Sequence, residues 1–302
     1  MLHALRRQAA RLNRRVVRHW PVALGRSLAH RALHKVAARP GVRLDGRAAW
    51  GGRFRCDLHD FVASRIYYFG VWEPNLTALV TRRLAPGDVF VDVGANMGYF
   101  SVLASRLVGP AGRVVAFEAS PAIHALLQED LALNGAVNAR AVNVAVSDRP
   151  GTLALYSGPA DNRGATSLHA ERGGRYEAHV RAAPLLDLLE PDERARVRLV
   201  KIDVEGAELP ILLDLLDHLG EYSPRMEIVV EVAPDEMRAA GVPLEVLVAR
   251  FAAHGFHWYV LENHHDPRAY FDPTPRPPVR GTTLPTVRSD LIFSRENTPA
   301  LG

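Results

Sequence analysis

Apolar positions along the chain follow two rhythms. Five short runs, "VFVDVGA" (89–95), "RVVAFEA" (113–119), "RAVNVAV" (140–146), "RLVKIDV" (198–204) and "EIVVEV" (227–232), are nearly continuous in Val, Ile, Ala and Phe. Strands that are apolar on both faces belong in a parallel sheet covered by helices. Between the runs, "AIHALLQEDLALNG" (122–135) and "AELPILLDLLDHLG" (207–220) are helical stretches, expected to end at Gly135 and Gly220. Strand and helix in alternation predict an α/β fold with a doubly wound, mostly parallel sheet. "DLIFS" (290–294) reads as the final strand, and the Pro-rich stretch 262–288 before it as a loop that could serve as a lid.

In such a sheet ligands sit at the carboxyl ends of strands, near the point where strand order reverses. The run at 89–95 ends in "GANMG", and Gly94 and Gly98 let the backbone turn tightly and approach a ligand closely. A helix starting near Met97 would offer unpaired N–H groups to a carboxylate or phosphate. Asp92, at the strand end, is placed to receive an ammonium directly or through water. Glu118, at the end of the next strand, is placed to take both hydroxyls of a ribose. An anion site, a cation site and a ribose acceptor together describe an amino acid joined to a nucleoside. A dinucleotide enzyme would use a similar ribose acid, but its turn reads G-x-G-x-x-G, which is absent here.

Further along, Lys201, Asp203 and Glu205 are spaced by two, so on a strand they share one face. Three charges at an apolar strand's exit must pair with each other or with a ligand, because burying them unpaired costs several kcal/mol. A carboxylate at such a strand tip can orient a second reactant or take a proton from it. Asp203 is the first candidate for that work and Glu205 the second, with Lys201 and Glu231 as supporting charges. The competing reading has Asp203 and Glu205 only capping a helix near Gly206 and pairing with Lys201.

Charge divides the chain. Of 37 Lys and Arg, eleven fall in residues 1–44, with no acid before Asp45, which leaves 26 basic against 33 acidic residues, about −7, in the rest. Leu2, Leu5, Ala9, Leu12 and Val16 recur every three or four residues, so 1–44 is expected to be a helical extension with an apolar stripe beside an arginine-rich face. That pattern suits an anionic membrane surface or an acidic partner, or else a helix packed on its own domain. An acidic body argues against nucleic acid as the main substrate. The remaining 45–302 are long enough for one domain with a full core. The single cysteine, Cys56, excludes an intramolecular disulfide and a cysteine zinc site and fits a reducing compartment. With no run long enough to span a bilayer and no signal-peptide block, the expected location is cytoplasmic, with the inner face of the membrane as a further place of contact.

In order and spacing, "VFVDVGANMGYFSVLAS", "VVAFEASP", "NVAVSD" and "VKIDVEGAEL" resemble the FkbM family of S-adenosylmethionine-dependent methyltransferases over roughly residues 65–295. The resemblance implies a class I methyltransferase (Rossmann-like) fold whose seven-stranded sheet has an antiparallel last strand. It also implies O-methylation of a hydroxyl on a sugar, glycan or natural product. Position by position, Asp92, Gly94, Ala95, Asn96 and Gly98 become the cofactor turn, Glu118 takes the ribose, Val146, Ser147 and Asp148 lie near the adenine, and Glu73 helps hold the methionine end. It places residues 151–185 as an inserted hairpin over the cofactor, where Ser167 and His179 are minor candidates. Ala119-Ser120 departs from the family, which commonly has proline after the glutamate. The Asp203 and Glu205 carboxylates could ligate a hard cation, but no third ligand is evident, and His264 and His265 read as a surface loop, so no metal is expected. The alternatives are a nicotinamide-dependent oxidoreductase, a noncatalytic binding protein and an RNA methyltransferase.

Overall fold

A computed structural model describes residues 2–19, 23–159, 161–168, 174–263, 266–271 and 274–301. The chain opens with helices α1 (Leu2–His19) and α2 (Ala23–Ala37), then a hairpin of β1 (Arg43–Arg47) and β2 (Arg53–Asp57), and helices α3 (Phe61–Phe69) and α4 (Pro74–Arg83). The first half of the main sheet follows as β3 (Val89–Val93), α5 (Tyr99–Val108), β4 (Arg113–Phe117), α6 (Pro121–Leu133) and β5 (Ala139–Val142). A three-stranded insertion is built from β6 (Ala145–Val146), β7 (Gly151–Ser157) and β8 (Arg175–Ala183). The second half runs α7 (Leu185–Leu188), α8 (Pro191–Arg196), β9 (Val197–Ile202), α9 (Glu208–Asp217), β10 (Glu227–Val232), α10 (Pro234–Ala239), α11 (Leu244–Ala253), β11 (His257–Leu261), β12 (Val279–Arg280) and β13 (Ser289–Ser294).

The main sheet has the order β12-β11-β13-β10-β9-β3-β4-β5. Strands β5, β4, β3, β9 and β10 are parallel, while β13 lies antiparallel between β10 and β11. Period-2 alternation splits each central strand between two cores. Phe90, Val114 and Leu199 face one, and Val89, Val91, Val93, Val115 and Val200 face the other. This explains the continuous apolar runs: β3 and β9 are buried at every position. The chain leaves β3 toward β4 and β5, then returns to β9 and β10 on the other side, so strand order reverses between β3 and β9.

Some expectations need correction. Run 140–146 is not one strand. It breaks at Asn143, whose amide donates to the carbonyls of Glu118 and Ala119, both at 2.8 Å, and β6 continues in the insertion sheet. Helix α9 stops at Asp217, and a short 3₁₀ turn, Leu219–Glu221, carries the chain past Gly220. The expected stripe on α1 also differs: Leu5 and Leu12 are 55% and 52% exposed, whereas Ala10, Asn13, Val16 and Val17 are buried. Helix α1 packs against α2 through small and polar residues, with Asn13 Oδ1 3.0 Å from His30 Nδ1. The helical head is thus joined to its own domain, Ala10 and Val17 entering one core with α3.

Candidate active site

A cavity of about 300 Å³ opens over the carboxyl ends of β3, β4, β9 and β10, at the reversal of strand order. Its two ends are built differently.

The first end is the turn after β3. Gly94 has φ +77°, and a Cβ there would stand 1.8 Å from the Asp203 carbonyl oxygen, so only glycine fits. Gly98, φ +86°, would place a Cβ 2.5 Å from Leu127. Asn96 adopts φ +50°, which Asn tolerates better than other side chains, and its Oδ1 accepts the Met97 N–H at 2.7 Å. Helix α5 starts at Tyr99, two residues later than expected. The Asn96 N–H and Ser120 N–H donate to the two oxygens of Glu118, each at 2.9 Å. Burial pushes the Glu118 carboxyl up to about 7, against these two donors and Lys201. Ser120, where the family commonly has proline nearby, caps α6 by accepting the Ile123 N–H.

Of the residues expected here, Glu73, Gly94, Ala95, Asn96, Glu118 and Val146 line the cavity, while Asp92, Ser147 and Asp148 do not, and Gly98 shapes the turn from behind. Asp92 is fully buried beneath the turn. It accepts the Ser101 hydroxyl at 2.6 Å and faces Lys201 Nζ at 3.5 Å, so its place is to hold that lysine rather than to meet a ligand's ammonium directly. Ser147 turns to Asp148, donating at 3.1 Å. Glu73, buried at φ +41°, precedes α4.

The second end is a set of charges. Lys201 Nζ lies 3.3 Å from Asp203 Oδ2 and 3.3 Å from the Gly94 carbonyl. Burial alone would lower this ammonium, but Asp203, Asp92 and Glu73 outweigh it and hold the group charged. Strand β9 stops at Ile202, and Glu205 takes φ +57°, so the shared strand face expected for Lys201, Asp203 and Glu205 ends after Asp203. Neither Asp203 nor Glu205 caps α9. Ala207 stands at the N-cap without a side-chain hydrogen bond, and Glu208, the first residue of α9, instead ties down the loop before it, its Oε1 accepting the N–H groups of Val204 and Gly206. The Glu205 carbonyl accepts the Ser167 hydroxyl at 3.0 Å. Burial, with Asp203 and Glu231 nearby, pushes the Glu205 carboxyl up to about 7, opposed by Arg288 at 3.8 Å.

Two charged lining residues carry little signal in the local sequence, Arg288 and Asp290. Arg288 bridges Glu231 and Glu236. Asp290 of β13 pairs in register with Glu231 of β10, and burial, then Glu73 and Glu231, push its carboxyl well up. Only the alternation in "SDLIFS" hints that Asp290 faces inward, and nothing local shows which strand it will meet. His179 meets Tyr176 at 2.7 Å on an exposed part of β8. His264 and His265 lie outside the described residues. Among the described residues no group of three or more His, Cys, Asp or Glu is placed to hold a metal ion.

The first end fits a nucleoside-linked amino acid. Each Glu118 oxygen keeps a further lone pair for a ribose hydroxyl. Strand order, reversal point and antiparallel β13 define an α/β class I methyltransferase fold. Residues 92–266 match the family model "Methyltransferase FkbM domain", and the chain belongs to the FkbM methyltransferase family, whose methyl donor is S-adenosylmethionine. It is 32% identical to "Methyltransferase sdnD" of Sordaria araneosa over 42% of this chain, but the match spans only 60% of that relative's length. It is 31% identical to "31-O-demethyl-FK506 methyltransferase FkbM" of Streptomyces tacrolimicus, over 57% of this chain and 74% of that one. A solved FkbM methyltransferase from Methylobacillus flagellatus aligns over 95% of this chain and 58% of its own, with 13% identity and a TM-score of 0.40.

Proposed function

We propose that this protein methylates a hydroxyl group of a sugar, glycan or related natural product. The observation that carries the reading is the pair Lys201–Asp203, a buried ammonium fixing a carboxylate in the wall between the glycine turn and the charged second end. The name of the Streptomyces relative, a 31-O-demethyl-FK506 methyltransferase, supports oxygen as the acceptor atom.

S-adenosylmethionine, when bound, supplies an electrophilic methyl group. Glu118 would hold the ribose, while the turn at Gly94–Asn96 and Glu73 would hold the amino-acid end. Asp203, kept in place by Lys201, accepts a hydrogen bond from the acceptor hydroxyl and sets its direction of attack. Glu205, whose carboxyl titrates near neutrality, takes the proton, because a base is most effective when its pKa lies near the working pH. Glu231, Asp290 and Arg288 line the acceptor side. The basic N-terminal hairpin supports a second contact, with an anionic surface or an acidic partner.

Calorimetric titration with S-adenosylmethionine and with NADH, repeated on Glu118→Ala, tests the cofactor. Tight binding of the first ligand alone, weakened in the variant, is expected. Radiolabelled methyl transfer to a panel of hydroxylated sugars and macrolides then tests the acceptor. Transfer only to nitrogen or carbon acceptors would overturn the hydroxyl reading.

A further inference from the structure

A second concavity, of about 520 Å³, lies between the N-terminal hairpin and the turn joining β1 to β2. Its described walls carry three guanidinium groups, from Arg18, Arg26 and Arg47, and no carboxylate. Among the described residues neither Arg18 nor Arg47 has an ion-pair partner. Arg18 Nε donates to the Tyr68 carbonyl at 3.3 Å, which anchors the side chain without neutralising it. Partial burial, then the neighbouring Arg14, lower its pKa against the opposing effect of Tyr67. The same groove has an aromatic floor. Phe69 packs against Tyr270 and Phe271, each with ring centroids 5.4 Å apart, and Arg26 lies 4.7 Å over Phe271.

Two further observations fix what such a groove would take. Tyr270 stacks on Trp72 at 6.3 Å, and Trp72 lines the candidate catalytic cavity, so a ring pair links the wall of the groove to the wall of the site. The hairpin above it also carries Leu5, Leu12, Leu28 and Val36, four of the nine large apolar residues exposed on the described surface, set among arginines. Cations around an aromatic floor suit an anion with an apolar tail.

We propose that this groove binds the phosphate of an anionic lipid, with Arg18 and Arg47 on the phosphate and the chain along Phe69 and Phe271, so that the hairpin seats the protein on an anionic bilayer beside its catalytic cavity. This goes beyond methyl transfer and does not depend on it.

The test is titration of the full chain with monomeric dihexanoyl-phosphatidylglycerol, below its micelle concentration, and separately with inorganic phosphate. Saturable one-to-one lipid binding is expected, about 30-fold weaker in Arg18→Gln/Arg47→Gln, at roughly fivefold per basic residue. Arg7→Gln/Arg11→Gln, on the exposed face of α1 outside the groove, should bind the monomeric lipid unchanged. Equal losses in the two double variants would show diffuse charge attraction and overturn the site. Inorganic phosphate binding as tightly as the lipid would overturn the role of the apolar floor, and no saturable lipid binding would overturn the proposal altogether. If the groove double variant does not fold, Arg47→Gln alone, at an exposed position, carries the same comparison with about a fivefold loss.

Discussion

The two ends of the catalytic cavity are made of different material. At the glycine turn the groups facing the cavity are mostly backbone, fixed by positive φ angles at Gly94, Asn96 and Gly98 and tied to one buried acid, Glu118. At the acceptor end they are side chains from β9, β10 and β13, held by mutual charge: Lys201 with Asp203, Arg288 with Glu231 and Glu236. A site built from backbone tolerates no change in shape, whereas one built from charges tolerates no change in balance. The first suits a ligand of fixed shape and the second a reactant selected by its charge.

Substitution should expose that contrast, beginning where the expected effect is largest. Glu205→Gln should lower kcat by 10²–10⁴, the usual range for a lost general base, with the affinity for S-adenosylmethionine within about threefold of the parent. The kcat/KM profile of the parent should fall on the acid side of about pH 7, where Glu205 takes up its proton, and that limb should vanish in the variant. If Asp203→Asn removes the limb instead, the two carboxylates exchange roles.

Lys201→Met joins the two ends, because it leaves Asp92 buried without its cation. A loss of about 3–5 kcal/mol in folding stability is expected from the broken buried pair, read by urea unfolding. Unchanged stability would mean that Asp92 takes up a proton at little cost. Gly94→Ala should cost about 2–3 kcal/mol through the left-handed φ and the clash with the Asp203 carbonyl. It should also weaken cofactor binding, and affinity retained in a folded variant would contradict the glycine cradle.

The smallest effect, Glu118→Gln, has two signs. Cofactor affinity should fall roughly 10- to 100-fold, the worth of hydrogen bonds to a charged group. Stability should move the other way with pH. In the folded parent the carboxyl is raised from its ordinary value of 4.5 to about 7, so the parent carries no penalty below about pH 4.5 and the full one above about pH 7. The variant carries none at either pH. Relative to the parent it should therefore gain on the order of 2–3 kcal/mol between pH 5 and pH 8, measured by parallel denaturation. A constant difference across that range would show that Glu118 is not strained by burial in the absence of ligand.

The same contrast decides what could be read in advance. The glycine turn is contiguous in sequence, its demand for glycine is chemical, and Glu118 follows at the spacing a βαβ unit imposes. Asp92 was visible as an acid at the right place, but strand alternation turned it toward Ser101 and Lys201 instead of the cavity. The acceptor end depends on register between strands about sixty residues apart, which no local pattern carries; Asp290 was visible only as one letter of the final strand. Glu205 was misplaced because alternation was extended past Ile202, where the chain turns through a left-handed residue. On α1, spacing alone favoured the leucine stripe, while the contact with α2 selected Ala10 and Asn13.

Strand β13 follows β11 in the chain yet lies between β10 and β11. A ribosome delivers residues from one end only, at about 5–20 per second, so β10 waits with an open hydrogen-bonding edge while more than fifty further residues are made. Until β13 closes that gap, the emerging polypeptide has its glycine turn but neither Arg288 nor Asp290, and it presents an unpaired edge to other nascent chains. Premature termination between residues 233 and 287 would therefore leave a fragment with the β10 edge unpaired and without Arg288 and Asp290.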